Sequence, residues 1–122
     1  MVSFRYFRMI ITQIKGGVVN TDIQFTDLNV LNGSSRVDYS LATATATPIS
    51  PPGYDPSKGI DNNITTKWYA YNLPGQATFI IDFGQTISAT QYNYTTGDDM
   101  PIRDPISWTI DISSDNIIWS TV

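Results

Sequence analysis

The stretch of residues 58–66 carries the residue types that could bind a hard cation. Its oxygen-bearing side chains are those of Asp61, Asn62, Asn63, Thr65 and Thr66. Ca²⁺ takes about six to eight oxygen ligands, and this stretch offers carboxylate, amide, hydroxyl and backbone oxygens. It is not an EF-hand loop, which needs a Gly at its sixth position and a Glu at its twelfth, where Thr66 and Asn72 stand here. A second interpretation stays open, in which Asp61 and the asparagines only form Asx-turns in a polar loop.

Paired carboxylates in a second polar loop could in principle hydrolyse a glycosidic bond. The candidates are Asp98, Asp99 and Asp104, but neighbouring acids in a polar loop are more often solvated surface. The sequence contains no Cys and no His, and all of its acidic residues are Asp. A thiolate nucleophile and a histidine general base are therefore absent, as is a glycine-rich phosphate loop. We expect that the chain is not an enzyme.

The charge and length of the chain narrow the classes of partner. The net charge is −4 and the Lys and Arg residues are scattered, so no basic stripe exists to follow a nucleic-acid backbone. No apolar run is long enough to cross a bilayer, and we expect no membrane insertion. Arg5 and Arg8 interrupt the apolar start of the chain, so it does not read as a signal peptide. We expect residues 1–122 to form a single domain that folds without disulfides.

Alternating apolar residues predict strands along most of the chain. The clearest alternation is that of Ile106, Trp108, Ile110 and Ile112 with polar neighbours. In residues 22–31 the apolar parity changes at Thr26-Asp27, which predicts a β-bulge or kink. Further strands are predicted at residues 4–14, 36–46, 77–83 and 87–95, with turns at Asn32-Gly33 and Gly84-Gln85 and a return strand starting at Ile117. No helical period is present, so the fold class is all-β, as an antiparallel β-sandwich or barrel.

Three segments carry a family resemblance. Residues 56–68 read PSKGIDNNITTKW, residues 79–84 read FIIDFG, and residues 106–119 combine ISWTI with SDNIIW. In this order they resemble the signature loop, the apolar-Asp-Leu-Gly strand end and the Ser-x-Asp-Gly-x-x-Trp hairpin of discoidin domains (coagulation factor 5/8 type C) and related carbohydrate-binding modules. The match covers residues 57–119. It implies a jelly roll of the galactose-binding-like type.

The N-terminal segments are similar to the same family, but they stand in a different place. Residues 5–9 (RYFRM) resemble a strand found near the end of a discoidin domain, and residues 23–31 resemble the strand that follows it. The resemblance therefore implies a circular permutation. It also implies one more strand after Trp119, so this discoidin-like domain either lacks its last strand or receives it from a partner chain.

The resemblance further implies a structural calcium site. The ligands it implies are Lys58 through its backbone carbonyl, Asp61, Asn63 and Thr66 in the loop, and Thr26 and Asp27 on the early strand. At position 27 an Asp replaces the Glu that is usual in the family, so its carboxylate reaches one methylene less far. The parity change at Thr26-Asp27 falls on the same residues.

Binding modules of this kind hold ligands on loops at one end, stacking aromatic rings on sugar faces and hydrogen-bonding the hydroxyls. The candidate ligand-binding residues here are Tyr54, Tyr69, Tyr71, Asp98, Asp99 and Arg103. Packing within the loops is an alternative role for Tyr69 and Tyr71. Trp68, Trp108 and Trp119 are expected in the core.

These features lead to a functional expectation with two branches. The first is a non-catalytic glycan-binding and structural module at the surface of a virus or phage particle, as a capsid decoration, minor capsid or fibre protein. It would bind a glycan or cell-surface receptor and other virion proteins, as a multimer or as part of a larger assembly. This branch follows from a discoidin-like chain that starts at Met1 without an export signal. The second is a carbohydrate-binding module of a larger secreted enzyme or adhesion protein, with an extracellular location.

Overall fold

The computed structural model describes residues 1–18, 22–47, 49–71, 75–97 and 99–122. Asp98, one of the predicted ligand-binding residues, lies outside them. Regular structure in these ranges is β-strand, apart from 3-10 helices at Pro56–Gly59 and Pro101–Arg103. The strands are β1 (Val2–Ile14), β2 (Gly17–Val18), β3 (Asp22–Phe25), β4 (Asp27–Asn32), β5 (Ser35–Arg36), β6 (Thr43–Thr47), β7 (Trp68–Tyr71), β8 (Ala77–Ala89), β9 (Gln91–Thr95), β10 (Pro105–Ser113) and β11 (Ser120–Thr121).

Across the described ranges, these strands form three antiparallel sheets. The largest has the order β11-β10-β1-β8-β6, with β2 added to β1, and the other two are β3-β7 and β5-β4-β9. The arrangement is sandwich-like and confirms the all-β fold class. It is compatible with a jelly roll.

The core is built from alternate residues of the long strands. In β1, Phe7, Met9 and Ile11 are buried while Arg8 and Ile10 between them are only half-buried, as a period of two requires. Burying a large apolar side chain fully is worth about 1.5–3 kcal/mol, so this inner face contributes much of the stability. Among the tryptophans, Trp68 is fully buried as expected, whereas Trp108 and Trp119 are half-buried.

Three aromatic rings form the centre of this core next to the candidate site. The centroids of Phe25, Trp68 and Phe79 lie 4.9 Å from one another in each pair. Gly59 packs directly against all three, since a Cβ there would lie 2.8 Å from Cε1 of Phe25. The 3-10 helix of residues 56–59 is therefore seated on the core, and the loop that follows it starts from a fixed position.

The predicted kink lies where the sequence places it. β3 ends at Phe25, β4 begins at Asp27, and Thr26 forms a bend between them. The two strands pair with different partners, β3 with β7 and β4 with β9, so the chain passes from one sheet to another at Thr26. Because Phe25 and Leu28 are both buried, the change in apolar parity follows from this change of sheet.

The predicted turn at Gly84-Gln85 is wrong. β8 runs without a break from Ala77 to Ala89, and the chain turns at Thr90 instead. Gly84 has a positive φ of 73° and its N–H donates to Oδ1 of Asp82 at 2.8 Å. The strand therefore contains an irregularity here, which appears as a register shift opposite residues 4–6 of β1.

Two other strand boundaries differ from the prediction. Within residues 36–46 the chain makes a turn at Ser40-Leu41, and only β6 continues as a strand. The return strand of the last hairpin begins at Ser120 rather than at Ile117. The Asp115 carboxylate accepts hydrogen bonds from the backbone N–H groups of Ile117 and Ile118, both at 2.9 Å, which keeps those residues in a bend.

Candidate functional site

The early kink and the mid-chain loop meet at Asp27. The backbone N–H of Asn62 donates to Oδ1 of Asp27 at 3.2 Å, although the two residues are 35 positions apart. Thr26 and Asp27 are both buried, and the Thr26 hydroxyl donates to the backbone carbonyl of Thr96 at 2.7 Å. Two of the stretches that contain the predicted metal ligands are thus in direct contact.

Arg36 is the second partner of Asp27. Its Nη1 donates to Oδ2 of Asp27 at 2.9 Å and also to Oδ1 of Asn29, while its Nη2 donates to the carbonyl of Ile60 at 2.7 Å. Burial raises the pKa of the Asp27 carboxyl, and this effect outweighs the opposing influence of Arg36 and of the Asn62 N–H. The nearby negative charge of Asp61 acts in the same direction as burial.

The loop of residues 61–66 is closed by its own hydrogen bonds. Oδ2 of Asp61 accepts from the Thr66 hydroxyl at 2.5 Å, and Oδ1 accepts from the Asn63 N–H at 3.2 Å. The Asn63 side-chain oxygen in turn accepts from the N–H of Thr65 at 2.9 Å and from its hydroxyl at 2.6 Å. These contacts are the Asx-turns that the second interpretation of the sequence anticipates.

The donor chemistry of this region suits a hard cation. Two carboxylates, those of Asp27 and Asp61, approach the same loop together with hydroxyl, amide and carbonyl oxygens. The raised pKa of Asp27 reflects a buried charge that is only partly compensated, and such a charge gains from a nearby cation. In the described part of the chain, no group of three or more His, Cys, Asp or Glu side chains is arranged to hold a metal. Neutral oxygens would therefore have to supply most of the ligands.

The predicted ligand-binding residues form an aromatic and polar cluster. The rings of Tyr54 and Tyr69 meet edge to face at 5.9 Å, and those of Tyr69 and Tyr71 are stacked at 6.4 Å. The Arg103 guanidinium lies 4.7 Å from the centre of the Tyr69 ring, and the Tyr69 hydroxyl donates to Oδ1 of Asp22 at 3.1 Å. The structure thus brings the three tyrosines and Arg103 together.

Gln24 and Lys67 connect Asp99 to this cluster. Nε2 of Gln24 donates to the carbonyl and to Oδ1 of Asp99, at 2.6 and 3.0 Å. Nζ of Lys67 donates to Oε1 of Gln24 at 2.9 Å and to Oδ1 of Asp99 at 2.8 Å. The hydrogen bonds from Lys67 and then Gln24 hold the pKa of Asp99 below its ordinary value. Nη1 of Arg103 also reaches Oε1 of Gln24, at 3.4 Å.

The sequence analysis missed Gln24 and Lys67. The sequence signal for Gln24 is its position between two apolar residues, Ile23 and Phe25. In the structure all three residues are fully buried, and a buried amide requires hydrogen-bond partners. Lys67 gives no comparable signal, since it lies between a polar loop and Trp68.

A cavity of about 370 Å³ opens between the tyrosine cluster and the loop of residues 61–66. Its lining includes Tyr54, Lys67, Thr26, Thr65 and Thr66. All three threonine hydroxyls donate to acceptors within the protein, namely the Thr96 carbonyl, the Asn63 side chain and the Asp61 carboxylate. Their remaining lone pairs can accept hydrogen bonds from a ligand, and the Lys67 ammonium group can donate one.

A second cavity, of about 510 Å³, has a different chemical character. It lies along β1, β9 and β10, and its lining includes Phe4, Phe7, Trp108, Ile110 and Ile112. The indole Nε1–H of Trp108 donates to the Tyr92 hydroxyl at 2.8 Å, which links β10 to β9 at this opening. Its apolar walls offer contact area rather than reactive groups.

Comparison with known proteins does not assign the chain to a family. No protein-family model matches it, and no curated protein matches it. In the described ranges, no helix has the length and apolar character needed to cross a membrane.

Proposed function

We propose that this chain is a non-catalytic recognition module that binds glycans in the cavity beside Tyr54. The observation that carries the proposal is the set of groups that line a cavity of about 370 Å³. They are an aromatic ring, an ammonium group and three threonine hydroxyls that already donate their protons to acceptors within the protein. A sugar presents an apolar C–H face that can pack on a Tyr ring, and hydroxyls that donate to such oxygens. Tyr54 is 41% exposed, so its ring is accessible to a ligand.

The absence of catalysis is part of this proposal. Asp99 is bound by Lys67 and Gln24, and its lowered pKa keeps it ionised at neutral pH, so it is unsuited to act as a general acid. Asp104 is separate from this network, because it lies beside Lys15 at the end of the 3-10 helix. In this proposal Asp99 serves to hold Lys67 beside the cavity.

We also propose a structural calcium ion in the loop beside the cavity. The residues that would hold it are Lys58, Asp61, Asn63, Thr66, Thr26 and Asp27. The contact between Asn62 and Asp27 supports this proposal, since it joins the two stretches that must meet. A bound ion would supply positive charge to Asp27 and Asp61. Because Thr65 and Thr66 belong to the same loop, that charge would also fix one wall of the cavity.

Kinship with discoidin domains, in a circularly permuted form, is the family assignment that we propose. Its support is the order of the three sequence motifs together with the sandwich-like fold and the coincidence of the kink with Thr26 and Asp27. The kinship would account for the position of the cavity beside a calcium loop.

A structural role in an assembly is the second candidate function. It is favoured by the apolar cavity along β1, β9 and β10 and by exposed side chains that line it, which include Val2 at 48% and Val122 at 68% exposure. Contiguous apolar surface of this kind is typical of contacts with another chain. We propose the surface of a virus or phage particle as the location, with other virion proteins as partners. A carbohydrate-binding module of a larger secreted protein is the alternative.

A glycan array combined with light scattering after size exclusion tests both functions. We expect the protein to bind a defined set of glycans and Tyr54→Ala to bind them at least tenfold more weakly. Tyr6→Ala is the matched control, because Tyr6 is a half-buried tyrosine on β1 with Arg5 over its ring and no part in the cavity. A protein that binds no glycan and forms a defined multimer would favour assembly alone, whereas equal losses for both variants would contradict the assignment of the cavity.

A further inference from the structure

Arg36 lies on the short edge strand β5, and its side chain contacts four other residues. Its guanidinium bonds the Asp27 carboxylate, the Asn29 side chain and the Ile60 carbonyl. It also lies 3.7 Å from the centre of the Tyr39 ring, within the range of a cation–π contact. The positive charge of Arg36 is thus surrounded by a carboxylate oxygen, an amide oxygen and a backbone carbonyl oxygen. These are the types of oxygen that bind hard cations.

This ion pair is buried enough to matter energetically. The Asp27 side chain is 4% exposed and the Arg36 side chain 18%, unlike the open surface pair of Arg5 and Asp82. Exposed pairs contribute little, but removing one partner of a buried pair leaves an uncompensated charge. The Asp27 carboxylate has few alternative partners, because the only other hydrogen bond to it in the described part of the chain comes from the Asn62 N–H.

The contact with Ile60 extends the effect of Arg36 to the loop. Ile60 directly precedes Asp61, so the guanidinium joins β4 at Asp27 to the first residues of the loop. The same loop reaches the cavity through Thr65 and Thr66. We therefore expect a change in the position of Ile60 to move Thr65 and Thr66, which form one wall of the proposed ligand site.

We propose that Arg36 is a positioning residue that serves as the resident cation of the loop. Its guanidinium compensates part of the charge of Asp27 and holds Ile60, so the loop keeps its conformation without a bound metal ion. A calcium ion and the guanidinium then act on the same carboxylate, and each reduces what the other contributes to stability. The first half of this inference stands on the contacts of Arg36 alone, and the second half rests on the proposed calcium binding.

The test compares melting temperatures in a chelator and in millimolar CaCl₂. Arg36→Met keeps most of the aliphatic stem and removes the charge, and we expect it to lower the melting temperature in chelator by roughly 10 °C. Calcium should restore part of that loss, whereas it should shift the unaltered protein less. Arg36→Lys keeps the charge without the fork of donors, so it should lose less than Arg36→Met. Arg5→Met is the matched control, with a small loss that calcium does not change.

A second variant separates the role of Arg36 from the calcium proposal. If the guanidinium compensates Asp27, then adding Asp27→Asn to Arg36→Met should recover stability, because no charge is left unpaired. Recovery without any response to calcium in any variant would support the resident cation and overturn the calcium site. A calcium response with the same Arg36→Met loss in chelator and in calcium, and without recovery by Asp27→Asn, would overturn the resident cation. Should Arg36→Met alone fail to fold, the double variant decides: folding restored by Asp27→Asn would support the resident cation, and a double variant that also fails to fold would overturn it.

Discussion

The guanidinium of Arg36 lies over the Tyr39 ring, and the Tyr39 hydroxyl bonds the backbone of β4 on both sides. The hydroxyl donates to the carbonyl of Leu28 and accepts from the N–H of Val30, both at 2.9 Å. Tyr39 therefore contacts the Arg36 guanidinium through its ring and holds β4, the strand that carries Asp27, through its hydroxyl. Burial raises the pKa of Tyr39 to about 12, because a phenolate at this position would lose its hydration.

This raised pKa predicts a loss of stability at alkaline pH. Below pH 10 the tyrosine is neutral in both the folded and the unfolded state, so its contribution is fully present. Between about pH 10 and 12 the unfolded chain ionises first, and the contribution is lost, by up to about 2 kcal/mol. Tyr39→Phe should reduce this dependence. Urea unfolding across the range measures it, and a slope unchanged by Tyr39→Phe would contradict the assignment.

The pair of Arg8 and Asp111 predicts the behaviour in acid. Burial alone would raise the pKa of Asp111, but the hydrogen bonds from Thr121 and Arg8 outweigh it and lower the pKa below its ordinary value of 3.8. The stabilisation is present above the unfolded pKa and is lost as the pH falls through the lower folded value. Arg8→Met should cost about 2 kcal/mol at neutral pH and make the acid dependence shallower.

The control for this prediction is again Arg5→Met, since Arg5 bonds Asp82 in a similar way but is far more exposed. We expect Arg5→Met to cost clearly less stability than Arg8→Met, because an exposed ion pair contributes little. Denaturant unfolding at several pH values below 5 measures both variants. Equal losses for Arg8→Met and Arg5→Met would show that burial of Asp111 does not determine the effect.

Gly59→Ala tests the seating of the 3-10 helix on the core. The new Cβ would lie 2.8 Å from Cε1 of Phe25 and 3.1 Å from Cζ of Phe79, which is closer than van der Waals contact allows. We expect a loss of about 1–3 kcal/mol from overpacking. Ser57→Ala, on an exposed position of the same helix, should change the free energy of unfolding by no more than a few tenths of a kcal/mol, at most about 0.5 kcal/mol. Urea midpoints compare the two, and equal midpoints would contradict the packing argument.

Asp61→Ala tests the loop and its proposed ion together. The change removes the acceptor of both the Thr66 hydroxyl and the Asn63 N–H, so the melting temperature should fall by a few degrees even in chelator. Any stabilisation by calcium should disappear. Asp38→Ala is a suitable control, because Asp38 is an exposed acid that bonds a nearby N–H, that of Ser40, in a similar turn. Identical melting of the unaltered protein in calcium and in chelator would exclude the ion.

The sequence indicates the strands whose faces differ in polarity. The alternation from Ile106 to Ser113 predicts the span of β10 but not its buried face, since Ile106 is 56% exposed and Asp111 and Ser113 are buried. The change of parity at Thr26 locates the passage from β3 to β4. Gly84-Gln85 misleads because a turn and an irregularity within a strand use the same residues. The choice is made by pairing with β1, which lies about 80 positions away in the chain.

Residues of the candidate site are predictable only in part, for a similar reason. The tyrosines and Arg103 are recognisable by type, but the residues that connect them are polar side chains with distant partners. Gln24 and Asp99 are separated by 75 positions, and Arg36 reaches Ile60 across 24. Local patterns carry no information about such contacts.

β1 is paired along both edges, with β8 and with β10. Arg5 forms an ion pair with Asp82 on β8, and Arg8 forms one with Asp111 on β10. A slip of this strand by one residue would reverse its two faces. Arg8 would then enter the layer now filled by Phe7 and Met9, while two acids would be left without counterions. The central strand is thereby confined to one alignment, which protects the largest sheet against mispairing as the chain folds.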